Sequence, residues 1–374
     1  MLRDPHAAVG IYVHLPFCRV RCSYCAFAVS TDLRLEDAYG EALLAEIGLR
    51  AAPRREAVSL FWGGGTPSRS AHAWVERIDA EIRARFDLAA DAEVTLEANP
   101  EDVGEEALER WKARGVNRIS IGVQSFHDAE LIPLGRVHGR RRALDAAALA
   151  TASGLRTSLD LILGLPGQTP ESFRETLDLA IGTGVGHLSV YMLDLEPGSA
   201  LESRLARGLV TLPPDETVAA IYLEAVDRLR GAGFAQYEVS NFARQYEVSR
   251  HNLRYWERAP YLGFGAGAHS FEGDVRRGNT KDVRRYIERL AKGEDPVEMT
   301  ETLGPGEERR ERLFLALRQA RGIEYARLLE WSEGKGEAWC ERGLSEGWIT
   351  SAEGRVAFTP RGFLVSSELL AALF

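Results

Sequence analysis

Apolar runs alternate with amphipathic stretches from the start of the chain to about residue 240. The apolar runs fall at residues 10–14, 58–62, 93–97, 118–123, 157–163 and 187–193, and each has the length and composition of a buried strand. Between them, residues 36–50, 73–85, 105–113 and 170–181 carry apolar positions at helical spacing. Helical stretches run out at Gly115, Gly154, Gly184 and Gly233, each followed within a few residues by an apolar position that restarts a strand. Glycine there supplies the left-handed cap that turns a chain from helix back to sheet. No Gly-x-Gly-x-x-Gly follows the first strand, which sets aside a dinucleotide-binding open sheet. The repeated βα units predict an α/β fold, a partial (β/α) barrel of about six units over residues 1–240, with chemistry gathered at the C-terminal strand ends.

Past residue 240 the rhythm changes. Residues 241–303 read as a connecting segment, with aromatic and histidine residues concentrated at 251–271. Gly304-Pro305-Gly306 reads as a linker, and 304–374 as a small, mainly helical domain: three helices, then short strands near 348–350 and 355–358. That order is winged-helix-like. Residues 301–374 hold 10 basic against 12 acidic side chains, which favours a structural or lid role over DNA binding.

A chain of 374 residues suggests one large domain with appendages, and a net charge of −9 argues against nucleic acid as the main partner. No apolar run approaches membrane-spanning length, and Met1-Leu-Arg-Asp-Pro-His6 lacks the pattern of a secretory leader. Four cysteines, three of them clustered, point to a reducing cytoplasm.

Those three, Cys18, Cys22 and Cys25, follow the first strand within eight residues. Three thiolates can hold a [4Fe-4S] cube and leave one iron open to chelate a small molecule. Two other readings use the same residues. One is a disulfide with a spare thiol, which needs an oxidising compartment. The other is a closed zinc site with His14 as fourth ligand. Cys340, beside Trp339 in a helical stretch, reads as a small buried apolar residue. After the second strand comes Gly63-Gly64-Gly65-Thr66-Pro67, which bares its backbone groups but lacks the Gly-Lys-Ser/Thr of a phosphate loop.

The C-x3-C-x2-C loop resembles the cluster loop of radical S-adenosylmethionine (SAM) proteins, and the glycine turn resembles the turn that holds SAM's amino group. With Leu96-Glu97-Ala-Asn-Pro, Gly122-Val-Gln124-Ser-Phe, Leu134-Gly-Arg136-Val-His138, Asp160-Leu-Ile-Leu-Gly-Leu-Pro-Gly and His251-Asn-Leu-Arg-Tyr-Trp256, the resemblance extends over nearly the whole chain. It is to the oxygen-independent coproporphyrinogen III oxidase family and, within it, the heme chaperone branch. The resemblance implies a barrel of the radical SAM type, with a [4Fe-4S] cluster on Cys18, Cys22 and Cys25 and with SAM bound beside it. It places Tyr12 and Tyr24 near SAM, Tyr24 on the adenine side, and Gly64, Gly65 and Thr66 at its methionine part. Glu97 would take the amino or ribose donors. Gln124, Arg136 and Asp160 match positions that contact a second SAM in the oxidases, so their ligand here is open. Each polar residue alone reads equally as a satisfied strand-end hydrogen bond; on successive strand ends they read together as a pocket.

Two departures separate this chain from the oxidases. They extend the cysteine loop to a fourth cysteine where Phe27 stands here, and they carry a longer extension than the eleven residues before Tyr12. The segment 251–256 matches the heme chaperone signature and is followed by Gly263-Phe-Gly-Ala-Gly-Ala-His269. Imidazole is a usual ligand of heme iron, which makes His251 and His269 candidates for heme contact. The plainer reading is that His251 and Asn252 tie down a loop and Trp256 is core. No Cys-x-x-Cys-His is present, which excludes c-type attachment, and Arg140-Arg141-Arg142 reads as a solvated helix face. The expected function is a heme chaperone that binds heme and transfers it to an acceptor protein. The alternatives are coproporphyrinogen III oxidase or dehydrogenase activity, and a radical SAM enzyme of other specificity.

Overall fold

The computed structural model describes residues 8–50 and 54–374, so the residues 1–6 on which the leader reading rests lie outside it. Six strands, β1 (Val9–Leu15), β2 (Arg55–Gly64), β3 (Phe86–Ala98), β4 (Arg118–Gln124), β5 (Arg156–Leu163) and β6 (His187–Met192), lie side by side in chain order, all parallel. They match the six apolar runs. Helices α1 (Glu36–Leu49), α2 (His72–Arg85), α3 (Glu105–Ala113), α4 (Asp128–Leu134), α5 (Arg140–Ala152), α6 (Pro170–Gly182), α7 (Ala200–Ala206) and α8 (Asp215–Gly231) make the connections. The predicted glycine caps are in place: Gly115, Gly154, Gly184 and Gly233 have φ of 82°, 79°, 78° and 84°.

Side chains alternate across a strand, and here the two faces differ in kind. Ile11, Val13, Leu60, Ile119, Ile121, Leu159 and Leu188 are fully buried in the hydrophobic core. The intervening positions Tyr12, Phe61, Glu97, Ser120, Asp160 and Ser189 line an internal cavity. The barrel lumen is therefore polar, and the apolar residues are packed outside it.

The sheet continues past both edges of the six. Beyond β6 lie β7 (Ala235–Gln236) and β8 (Asn241–Ala243), with β8 antiparallel to β6. Beyond β1, β9 (Tyr261–Phe264) pairs parallel, followed by antiparallel β10 (His269–Glu272), β11 (Val275–Asn279) and β12 (Val297–Thr302). Between the two flanks runs α9 (Arg250–Trp256), and α10 (Val283–Ala291) packs on α1.

The C-terminal part comprises α11 (Pro305–Leu317), β13 (Ile323–Glu324), α12 (Tyr325–Trp331), α13 (Gly336–Ser345), β14 (Ile349–Ala352), β15 (Arg355–Phe358), α14 (Pro360–Leu364) and α15 (Ser366–Leu373). Its three strands form a small antiparallel sheet, as in a winged helix. Gly304-Pro-Gly306 is not a linker: it starts α11, with the Gly304 N–H donating to the Glu307 carboxylate at 2.7 Å. The buried Arg258 guanidinium ties this part to the barrel through Glu308 (3.2 Å) and Glu311. No helix among the described residues is long and apolar enough to cross a membrane.

Candidate functional site at the strand ends

The cluster loop leaves β1 and returns on itself: Cys18 N–H donates to the Ser30 carbonyl at 3.0 Å and Ser30 N–H to the Pro16 carbonyl at 2.8 Å. Its tip is fastened to the end of α4, with Ser23 N–H donating to the Leu134 carbonyl (3.0 Å) and its hydroxyl to the Pro133 carbonyl (2.8 Å). Cys18, Cys22 and Cys25 all face one cavity of about 390 Å³ at the C-terminal strand ends. The same cavity is lined by Tyr24, Gly64, Gly65, Thr66, Glu97, Gln124, Arg136 and Asp160, so the structure gathers these predicted residues in one place.

The glycine turn follows β2 for a packing reason. A Cβ on Gly63 would lie 2.8 Å from the Tyr12 ring, one on Gly64 2.8 Å from the His14 ring, and one on Gly65 2.6 Å from the Pro16 carbonyl. Gly64 also sits at φ 118°, where a side chain is strained. Each glycine thus lets one residue of β1 or the cluster loop pass. A side chain at Gly64 would therefore meet His14 before any ligand in the cavity. The bared Gly64 N–H points at Glu97, 3.0 Å from its carboxylate.

Glu97 is half-buried on the cavity wall; desolvation of its carboxyl and the neighbouring Asp160 raise its pKa to about 8. Burial likewise raises Asp160, which accepts from the Ser120 hydroxyl at 3.0 Å. Arg136 donates to Gly122 O (2.6 Å), Asn99 Oδ1 (2.7 Å) and Cys22 Sγ (3.6 Å). Gln124 has φ 66° beside a register shift in β4, a left-handed conformation uncommon outside glycine. Tyr12 lies beneath the cavity, in the inner chamber of about 230 Å³, its hydroxyl 3.0 Å from His14 Nδ1.

His14 Nε2 donates to the Ala28 carbonyl at 2.8 Å, so both its nitrogens are engaged. It is not available as the fourth ligand of a closed zinc site. Among the described residues no three His, Cys, Asp or Glu side chains gather closely enough to hold one metal ion. A four-iron cube needs its thiolates spread around it, and the cavity between the three cysteines leaves that room. Burial pushes the Cys18 and Cys25 thiols up, a cost that bonding to cationic iron removes.

The two heme candidates are not brought together. His251 is buried in the chamber beneath Glu97, with Nδ1 2.8 Å from the Ser59 hydroxyl and Nε2 2.7 Å from the Tyr255 hydroxyl. Burial lowers its pKa to about 3. The α9 N-terminus is held by Glu93, which accepts from the Arg250 and His251 N–H groups at 3.0 and 2.9 Å. His269 is exposed at the start of β10.

Sequence reasoning missed Asn99, Arg118, Ser120 and Tyr191, all of which line one or both cavities. Strict alternation along β4 and β6 was the signal available for the last three. Arg142 also departs from a solvated face, since it donates to the Glu101 (3.2 Å) and Val103 carbonyls.

Residues 12–180, spanning β1 to β5 and the cysteine loop, match the Radical SAM superfamily. "Heme chaperone HemW" of Mycobacterium tuberculosis (strain ATCC 25618 / H37Rv) is 38% identical, covering 99% of this chain and 95% of that protein. The proteins of that name in Escherichia coli K12 and Bacillus subtilis 168 are 35% and 33% identical, each covering at least 96% of both chains. The chain belongs to the HemW heme chaperone family of radical SAM proteins. Among solved structures, coproporphyrinogen III oxidase (HemN) from Escherichia coli, described as a radical SAM enzyme, superposes with TM-score 0.85 at 25% identity. It covers 100% of this chain and 91% of its own. This chain thus shares its architecture, C-terminal part included, with most of the oxidase. Membership in the superfamily implies a [4Fe-4S] cluster and SAM, and a cavity lined by three thiols and the Glu97 carboxyl fits both.

Proposed function

We propose that this protein binds heme and passes it to an acceptor protein in the cytoplasm, carrying a [4Fe-4S] cluster on Cys18, Cys22 and Cys25 with SAM at the open iron. When bound, such a cluster supplies an electron to SAM. Tyr24, Gly64, Gly65, Thr66 and Glu97 form the SAM seat, while Gln124, Arg136 and Asp160 shape its wall. The reading as chaperone rests on Phe27. Where the oxidases have a thiol, this ring stands 65% exposed at the mouth of the cavity. It offers a flat apolar surface and no sulfur chemistry.

The second reading, porphyrinogen decarboxylation, is favoured by one observation: the cavity carries the carboxyl groups of Glu97 and Asp160 beside the cysteine loop. One sample separates the two. Anaerobically reconstituted protein takes up heme stoichiometrically and forms no protoporphyrinogen from coproporphyrinogen. Sustained product formation would replace the chaperone reading with the oxidase one.

Glu97 gives this seat a pH signature. A carboxyl at about 8 is mostly neutral at pH 6.5, and a cationic ligand favours the charged form. SAM affinity therefore rises on the order of tenfold from pH 6.5 to 8, and the rise is absent in Glu97→Gln. Equilibrium binding at the two pH values tests it; equal slopes in the two proteins would remove Glu97 from the ligand.

A further inference from the structure

Resting on the heme-binding reading above, we propose that heme seats in the groove between α8 and the C-terminal part, with Met192 as a ligand of its iron. The groove holds about 670 Å³ and adjoins the cluster cavity, since Met192 at the end of β6 lines both. One wall is a stripe of α8, where Val218, Ala219 and Leu223 fall at helical spacing on one face. Another is Trp348 with Leu364 and Val365. Hydrogen bonds hold that second wall in shape: the Trp348 carbonyl accepts from the Thr359 N–H at 2.9 Å, and the Thr359 hydroxyl caps α14 at the Gly362 N–H (3.1 Å). Aliphatic and aromatic walls of this kind suit a flat apolar ligand. Room decides between the cavities. The chamber of about 230 Å³ falls below the ~300–1,000 Å³ of sites that take organic ligands, and the cavity of about 390 Å³ is committed to the cluster and SAM.

Charge and coordination chemistry fit the same ligand. Arg361 lines the groove, and Arg342 stacks on Trp348 with its Cζ 5.3 Å from the ring centre. Both are exposed. Among the described residues neither has an ion-pair partner, although Asp215 and Glu346 also line the groove. A guanidinium without a partner can grip a propionate carboxylate through two parallel N–H bonds, and heme carries two propionates. A thioether is a usual ligand of heme iron, and Met192 is the one methionine, histidine or cysteine on the groove. At 39% exposure its side chain can turn to a ligand without unpacking the core. His14, His187 and His251, by contrast, each have both ring nitrogens hydrogen-bonded inside the protein. To free His251, its bonds to Ser59 and Tyr255 must break within the core.

The test titrates heme anaerobically into the full-length, cluster-loaded protein and its variants, and reads both affinity and difference spectrum. The wild type takes up one heme. Ala219→Trp fills the groove and weakens uptake on the order of tenfold or more. Iron content and SAM binding stay at the wild-type level in that variant, because Ala219 lines no part of the SAM cavity. Arg361→Glu weakens uptake several-fold, and less so at high salt. Met192→Leu keeps most of the uptake but shifts the heme absorption, since leucine offers the iron no lone pair. Wild-type affinity in both Ala219→Trp and Arg361→Glu, or an unchanged spectrum in Met192→Leu, overturns this site and leaves the heme reading standing. A wild type that takes up no heme overturns both.

Discussion

Changing Cys18, Cys22 or Cys25 to serine leaves a folded protein that holds no stable cluster after anaerobic reconstitution. The brown absorption disappears, and iron drops from about four atoms per chain to a trace. A hydroxyl is a poor substitute for a thiolate on iron, and the loop has no spare thiol to take its place. The fold should survive. All three cysteines are only half buried on a loop whose ends and tip are fastened by backbone bonds, at Ser30, Pro16 and Leu134. Cys340→Ser is the control. That thiol is buried in α13, where burial pushes its pKa up to about 11, and it lines no part of the cavity. Iron and sulfide analysis with absorption spectra decides the matter. An equal loss in Cys340→Ser would mean that the iron was held elsewhere, and retention of four irons in any of the three loop variants would remove that cysteine from the ligand set.

The barrel was legible because each βα unit announces itself locally, by an apolar run, an amphipathic run and a glycine with positive φ. The cysteine loop was legible because its ligands are neighbours in sequence. What could not be read depends on partners far apart in the chain. The lumen is one example: Tyr12, Glu97, Ser120 and Asp160 meet only when the five strands β1 to β5 are laid side by side. The flank from β9 to β12 is another. Its first strand pairs with β1 some 250 residues earlier, and short strands broken by Gly263, Gly265 and Gly267 carry little periodicity. His251 shows the limit of motif reading. The signature drew attention to its imidazole as a ligand, whereas its position in the fold is fixed by Ser59, Tyr255 and the Glu93 cap. Gly304-Pro-Gly306 misled for the opposite reason, since glycine and proline also mark helix starts.

Glu46→Ala lowers the unfolding free energy by about 3–5 kcal/mol, because it leaves buried donors with no acceptor. Glu46 is wholly buried in α1, and nothing in an amphipathic stretch marks it as different from its charged neighbours. Its carboxylate accepts from Arg50 Nη1 (2.9 Å), Asn279 Nδ2 (2.7 Å), the Gly265 N–H (2.7 Å) and the Tyr286 hydroxyl (2.7 Å). Those donors come from α1, the end of β11, the loop after β9, and α10. One side chain therefore fastens the added flank to the six-stranded barrel. Arg50 extends the connection, donating to the Gly263 carbonyl at 2.8 Å and the Ser270 hydroxyl at 2.7 Å. Glu46→Gln costs less, since the amide keeps one acceptor oxygen but turns an NH2 toward two of the donors. Urea unfolding gives the free energies, and hydrogen exchange shows where the loss falls. Residues 261–279 should exchange faster in Glu46→Ala, with β3 to β5 unchanged under native conditions. A loss below about 1 kcal/mol, within the range of an ordinary surface change, would mean that packing of Tyr39, Tyr286 and Phe264 holds the flank without the carboxylate.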